Sequence, residues 1–511
     1  MFTVNCSKST GLRRASLPLV AAGLMILAGA VRAEEWQILG ARALGMGGAQ
    51  VANPRGALAS YWNPAYFARE SFLDVDFSTG TAIVVRQDIL EDADRIRSHI
   101  EGMGAEFANI LTAAKNGAAL TRSQLREALL LYGEEIPNLA APGGAVAGNS
   151  HLSLAVRWAR YGLSARVFAN YAAVPDVDAA RLSLNGDPTV AVRVANIVGA
   201  GQDRSGSLSA SGQSLADSLA GAGYGFTQDQ AEEYVYQSEL AGLSAGTAVT
   251  RDRLVEVARQ TGTGYAGAGT TVGDNATRFS GRGIALAEYS FTAGLPLERY
   301  RTYLGANLKL LSGRTYENTV AYTDFRKSGE DTIDDLLNRQ NSKEGAAVSA
   351  DVGILASPVP NVWLGVTARD IPNPSFDYAS GGKYDLDPQV RAGVAWFPIE
   401  FLTLAVDYDV TRNGSSALAD YHSRHLAVGT EVDLWHIVYP RLGFYRNTAG
   451  GSFNDTVYTL GLGVNANIAS DFKLSFDVAY ATSRRRQDFQ SGLNIPDQGG
   501  AVFSFNLERR F

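Results

Sequence analysis

The chain has 511 residues, 46% hydrophobic and 19% charged, so it can bury a large core, and length alone decides little. A mean hydropathy of −0.07, with no apolar run near ~20 residues beyond the N-terminal stretch, argues against membrane-crossing helices. It leaves open a membrane barrel, whose strands average to neutral hydropathy, while the net charge of −7 supplies no clustered cations for nucleic acid.

The first residues have the layout of a secretory signal peptide. Lys8, Arg13 and Arg14 form a basic start, Leu17 to Ala30 an apolar stretch, and Val31-Arg32-Ala33 a small-residue cleavage site. Residues 1–33 are therefore expected to be removed, with the mature chain starting at Glu34. The residues after Arg13-Arg14 match twin-arginine export poorly, so Sec-type export is expected. The only cysteine, Cys6, precedes the apolar stretch rather than lying at a cleavage site, so no lipoprotein anchor is expected, and the expected mature chain has no disulfides, thiol chemistry or cysteine metal sites.

Residues 34–70 read as an N-terminal plug. The run Gly40-Ala41-Arg42-Ala43-Leu44-Gly45-Met46-Gly47-Gly48-Ala49 can pack closely against other backbone. Tyr61-Trp62-Asn63-Pro64-Ala65 ends the segment in a turn, where Pro64 fixes φ and Asn63 can bond back to the chain. Gly45, Gly47, Gly48, Asn63, Pro64 and Ala65 are the candidate plug residues. A phosphate loop is a poorer account of the glycines, since no strand precedes them and no Lys-Ser/Thr closes the run.

From residue 71 to 511 the pattern is that of strands with a period of two. Phe472, Leu474, Phe476, Val478 and Tyr480 alternate with Lys473, Ser475 and Asp477, and Phe503, Phe505 and Leu507 alternate with Ser504, Asn506 and Glu508. About fourteen such segments start near residues 72, 150, 163, 283, 302, 345, 362, 388, 402, 423, 438, 455, 472 and 501. Even-to-odd connections are short and odd-to-even ones long, the parity of an outer-membrane barrel rather than of a soluble sandwich. Two long connections carry helical signals, near 88–135 and 175–282. In the first, Thr121 and Gln124 form a capping box opening a helix to about Tyr132; in the second, helices are expected near Thr227 to Leu240 and Arg251 to Gln260. The chain ends in Phe511, read as the C-terminal signal of a barrel met by the assembly machinery.

The opposite parity places Arg157, Arg166, Lys309, Arg369, Arg391, Asp407, Asp409 and Asp477 inside, with Lys473 and Glu508. Mixed charges of this kind either line a solute path or pair with one another along the wall. His422-x-x-His425 suggests a metal pair, but residues three apart on a strand face opposite ways and no further ligand completes a site. His151 has no serine motif around it. No metal, no cofactor and no catalytic activity is expected.

The Gly40 to Ala49 run, Asn63-Pro64-Ala65 and Phe511 resemble the FadL-type outer-membrane proteins, and the resemblance implies a fourteen-stranded antiparallel barrel, plugged at the N-terminus, that carries hydrophobic compounds. A related barrel family labelled conjugal transfer TraF is similar in Ala41 to Ala49, the helix-rich first loop, Tyr303 to Lys309 followed by Thr315-Tyr316, and Val362 to Asp370 with Pro374 to Asp377 after it. Together these imply an all-β, FadL-like barrel of the Gram-negative outer membrane, surrounded by lipid, with a hydrophobic small molecule as ligand. The alternative they leave is a structural or interaction component whose helical outer loops meet a protein partner, in conjugal transfer if the label is followed.

Overall fold

The computed structural model describes residues 36–69, 72–141, 143–187, 207–263, 270–297, 301–324, 341–415, 421–450, 455–468 and 471–510. The expected signal peptide and Phe511 lie outside them. Fourteen antiparallel strands close into one barrel. In chain order they are β1 (Phe72–Arg86), β2 (Ala145–Trp158), β3 (Tyr161–Asp176), β4 (Arg278–Leu297), β5 (Thr302–Ala321), β6 (Ser342–Val359) and β7 (Val362–Ile371). After a short hairpin of β8 (Ser375–Asp377) and β9 (Lys383–Asp385) come β10 (Gln389–Ile399), β11 (Leu402–Asp409), β12 (His425–Val432), β13 (Val438–Asn447), β14 (Thr456–Asn467) and β15 (Phe472–Ser483). A second hairpin, β16 (Arg486–Asp488) with β17 (Asn494–Pro496), precedes β18 (Gln498–Arg510).

β18 pairs with β1 from Leu73↔Arg509 to Val84↔Gln498, so the ladder has no free edge, which is what a sheet in lipid requires. The alternation sorts the wall into two faces. Leu152, Leu154, Leu308, Leu310, Leu460, Leu462, Val478 and Tyr480 are exposed on the outside, while Ser153, Lys309, Asp351, Thr459 and Ser504 are buried inside. Among the described residues no helix is long and apolar enough to cross a membrane; the strands do so.

The expected strands are all present, several longer at the long-loop end than their apolar alternation suggests: β2 begins at Ala145 and β4 at Arg278. There the outward positions turn polar or pack under loops, and alternation no longer marks them. The capping box at Thr121 and Gln124 forms, and helices cover Arg122–Leu130, Gln228–Leu240 and Ala248–Thr261. The stretch from Asp88 to Lys115 holds two helices, Ile89–Met103 and Ala105–Asn116, broken at Gly104, whose φ is +56°. Ala210–Gly221 is a further helix, one that its Gly/Ser/Ala-rich surroundings do not announce; Ser209 caps it by accepting from Gly212 N.

The two helical connections are not separate. Ile96, Ile100, Phe107, Leu125 and Leu129 of the first share one buried core with Leu215, Tyr234, Val235, Leu254 and Val257 of the second. Arg122 Nε lies 3.0 Å from Glu233, and Arg253 donates to Asn138 at 2.7 Å. This helical cap sits on the long-loop end of the barrel, where Val85, Ala173, Phe279 and Tyr322 of the wall and its loops join its core.

Candidate functional site

Residues 36–69 run inside the barrel and are almost entirely buried. Strand after strand meets them. Ala41 N donates to Ser504 Oγ of β18 at 2.9 Å, and Gln50 N and Val51 N both donate to Asp407 Oδ2 of β11, at 2.7 and 2.8 Å. Ala57 N and Leu58 N donate to Asp74 and Asp76 of β1, at 2.6 and 3.0 Å. Four main-chain donors that tight turns leave without ladder partners are thus satisfied by wall carboxylates, a charge-assisted arrangement stronger than neutral pairing.

Elsewhere the segment touches bare wall. Gly305 of β5 is the clearest case, since a Cβ there would run into the main chain of Pro64 and Ala65. Its register partners on β4 and β6 are glycines as well: Gly294 stands against the main chain of Phe67 and Ala68, and Gly353 against the side chains of Asn63 and Pro64. Gly45 approaches Gly461 of β14 so closely that a Cβ would lie 2.9 Å from its Cα, and Gly47, with φ +64°, faces the main chain of Phe444. Gly48, φ +88°, turns beside Ile38. Asn63 is fully buried: its Oδ1 accepts from Ala65 N at 3.1 Å, and its Nδ2 donates to Val51 O and Ile354 O, at 2.9 and 3.0 Å. Pro64 opens a short 3-10 turn over Pro64–Ala68.

The candidate inward charges are brought together in three groups. Lys309 contacts Asp351 Oδ1 at 2.6 Å, Glu288 at 3.6 Å, and Asp370. Arg166 pairs with Glu288 at 2.5 Å and donates to Ser60 Oγ, while Arg369 lies 3.9 Å from Glu288 and 4.0 Å over the Tyr61 ring. Arg391 pairs with Asp409 at 2.5 Å and stacks 4.8 Å from Trp36. Asp409 also accepts from His425 N at 2.8 Å. In the third group Glu431 receives Arg42 (2.9 Å), Arg55 (3.0 Å) and Arg441 (2.7 Å), and Arg441 reaches Asp477. Arg157 stands apart, donating to Ala159 O at 3.1 Å and lying 4.2 Å from the Phe72 ring. These charges face the interior and are closed over by one another and by the segment.

Sequence reasoning missed Asp74, Asp76, Glu288, Asp351, Asp370, Glu431 and Arg441. For Asp74 and Asp76 the signal was present in Leu73-Asp74-Val75-Asp76-Phe77, an alternation with acids on the inner parity. Among the described residues no group of three or more His, Cys, Asp and Glu is arranged to hold a metal ion. His151 is buried with Nε2 3.3 Å from Ser78 Oγ.

The segment leaves a cavity on each side. Toward the long-loop end lies one of about 110 Å³, lined by Trp36, Ile38, Leu44, Ile83, Ala147, Ala172, Tyr421 and Val502, with Asn149, His151, Asn170, Arg391 and His425 as polar members. Toward the short-turn end lies another of about 110 Å³, bordered by Arg42, Arg55, Asp74, Asp76, Arg441, Lys473, Asp477 and Glu508. Trp36 and Trp62 stack at 6.1 Å between the two, Trp62 Nε1 donating to Leu39 O at 2.9 Å and Tyr61 OH to Gln37 O at 2.8 Å.

A closed, even-stranded antiparallel barrel with an apolar exterior and a polar, filled interior is an outer-membrane-type β-barrel. Residues 60–409 match the family described as F plasmid transfer operon, TraF, protein, and the chain belongs to that family. No curated protein matches it in sequence. In structure it is similar to a deltaS2S3 mutant of the TodX monoaromatic hydrocarbon channel, at 11% identity over 92% of this chain and 99% of that one, TM-score 0.42. It is also similar to the Ralstonia pickettii toluene transporter TbuX (12%, 92% and 98%, TM-score 0.41) and to a Pseudomonas aeruginosa FadL homologue (9%, 92% and 97%, TM-score 0.40).

Proposed function

We propose that this chain is an outer-membrane channel for small hydrophobic solutes, which enter between the outer loops, lodge in the cavity above residues 36–47, and leave when that segment shifts. The observation that carries this reading is the pair of unlike cavities. The outer one mixes aromatic and aliphatic walls with a few convergent polar groups, the make-up of a small-molecule site. At about 110 Å³ it approaches the ~150 Å³ of an engineered apolar cavity that takes up benzene. The inner one is bordered by charges and suits water. A solute passing between them crosses only the 36–69 segment.

The test is uptake of a single-ring aromatic into liposomes holding the purified barrel. Ala147→Trp fills the outer cavity and is expected to abolish uptake while the heat-dependent gel shift of the folded barrel persists. Unaltered uptake in that variant overturns the site. Deleting residues 40–65 is expected to leave a folded barrel with raised, unselective conductance.

The shared core of the helical cap supports a second reading, a scaffold in which the cap meets a protein partner of a transfer apparatus. A folded module joining two loops is more than a solute entrance needs. If removing 89–138 and 207–263 abolishes partner capture and leaves uptake intact, the cap serves the partner.

A further inference from the structure

On one side of the long-loop rim the charges are matched. Arg278 pairs with Asp176 at 2.9 Å and Arg282 with Glu317 at 3.1 Å, and Arg314 pairs with Glu344. Around β11 to β15 they are not. The alternation that turns Asp409, His425, Asn447 and Ser483 inward turns Arg412, Arg424, Arg446 and Arg484 outward, and the described residues place no ion-pair partner on any of the four.

Register aligns them. Asn413 bridges Ser423, which sets Arg412 beside Arg424. Arg446 is opposite Leu426 and so diagonal to Arg424, a separation of about 7–8 Å between backbones. Arg446 also faces Thr456, and the β14–β15 ladder, Val457↔Ser483, carried one step further sets Thr456 opposite Arg484. Four arginines thus cross five neighbouring strands, a row roughly 20 Å wide at ~4.8 Å per strand. Arg424 Nε is buried and has no hydrogen-bond partner.

Directly below the row the outer face is apolar and aromatic. Phe444, Tyr458 and Tyr480 are exposed there, with Leu442 and Leu460 beneath, and the Arg484 guanidinium lies 4.9 Å over the Tyr458 ring. Cations one step above an aromatic belt stand at the depth of lipid headgroups, while the belt meets acyl chains.

We propose that Arg412, Arg424, Arg446 and Arg484 form a binding site for the phosphate groups of a phosphorylated, acylated lipid of the outer leaflet. Guanidinium forks match phosphate oxygens bidentately, and no carboxylate among the described residues neutralises the four. Tyr458 and Phe444 would hold the first methylenes of its chains. The proposal rests on the barrel standing in the outer membrane and is independent of transport.

Native mass spectrometry of the full barrel in a neutral detergent tests it, with a diphosphorylated outer-leaflet glycolipid as probe. Arg424→Gln/Arg446→Gln/Arg484→Gln is expected to weaken binding by roughly 100-fold, about fivefold per arginine lost. Arg446→Gln alone, an exposed change that the fold tolerates, should cost about fivefold, and Arg314→Gln on the matched rim should cost nothing. Removing the phosphates from the probe should cost as much as removing the arginines. Equal binding by the triple variant, by the dephosphorylated lipid, or by inorganic phosphate in place of the lipid overturns the site. A processed protein found soluble without detergent would instead overturn the membrane placement itself.

Discussion

Two parts of the molecule are built without barrel strands, and they are held by different physics. The helical cap has a core of its own, in which Ile96, Leu125, Tyr234 and Leu254 are fully or almost fully buried among one another. The segment at 36–69 has an aromatic knot, Trp36, Tyr61 and Trp62, and a few hydrogen bonds of its own, and is otherwise fixed by what the wall presents: carboxylates to its amides, bare glycines to its backbone, arginines to its rings and apolar side chains to its aliphatic residues. Most of the cap's core is its own helices, with Val85, Ala173, Phe279 and Tyr322 joining it from the wall side. The segment's apolar residues are buried against the wall rather than in a core of their own, Leu39, Val51 and Leu58 beside Phe168, Ile284 and Leu286, so its hold depends on the barrel around it.

The sharpest way to break this contrast is to remove a buried charge on the wall. Lys309→Met leaves Asp351 and Asp370 without their nearest cation and Glu288 with Arg166 and Arg369 alone, and uncompensated buried charge costs about 3–5 kcal/mol. The expected outcome is a large loss in the denaturant midpoint of the barrel, partly recovered in Lys309→Met/Asp351→Asn. Unchanged stability in the single variant would mean that Arg166 and Arg369 suffice. Gly305→Val comes next. Its side chain cannot coexist with Pro64 and Ala65, so the segment must move or the wall must bend, at about 1–3 kcal/mol or more. Proteolysis should then cut within 36–69 of the folded barrel, and resistance equal to the parent chain would show that the wall yields instead.

The same contrast explains what was legible in the sequence. The strands could be read because lipid on one side and polar filling on the other impose a strict alternation, as in Phe472 to Tyr480. The cap helices with local signals were equally readable, Thr121 with Gln124 and Thr227 at the head of Gln228–Leu240. Ala210–Gly221 escaped because its small residues carry a weak apolar stripe and its only start signal is Ser209. The plug could be named from Gly45, Gly47, Gly48 and Asn63-Pro64-Ala65, but its clamps could not. Asp407 meets Gln50 and Val51 across more than 350 residues, and Glu431 gathers Arg42, Arg55 and Arg441 from three places in the chain. Such pairings depend on strand register around a closed wall, which no local pattern encodes.

A smaller effect separates the two regions by pH. In the cap, His99 Nδ1 lies 2.8 Å from Glu135 and Nε2 2.7 Å from Glu127. Burial pulls its pKa down, but hydrogen bonds and charge from Glu135 and Glu127 outweigh burial and leave it raised. A folded pKa above the unfolded one means that the folded cap binds more protons. Its stabilisation is complete below the ordinary histidine value of about 6.5 and disappears as pH rises through the raised value. Asp92, pushed up to about 6 by burial against the opposing pull of Arg95, acts with the same sign between about 4 and 6. Hydrogen exchange of the cap amides should therefore quicken as pH climbs past neutrality, beyond the intrinsic base catalysis of exchange, and His99→Gln should remove that excess. Amides of the wall strands should show none.

The smallest effect probes the cap's independence directly. Gly102 lies near the end of the helix Ile89–Met103, and a Cβ there would meet nothing within 4 Å. Alanine restricts the unfolded chain and suits a helix better, so Gly102→Ala should stabilise the cap by about 0.5–1 kcal/mol. Where the cap unfolds as its own unit, that gain appears as slower exchange confined to 89–138 and 207–263, with the barrel's denaturant midpoint unmoved. If the midpoint of the barrel rises with it, cap and wall unfold together, and the contacts that cross between them, Tyr132 OH to Tyr322 OH at 3.0 Å and Arg485 to Asp88 at 2.8 Å, bind the two regions more firmly than their separate cores suggest.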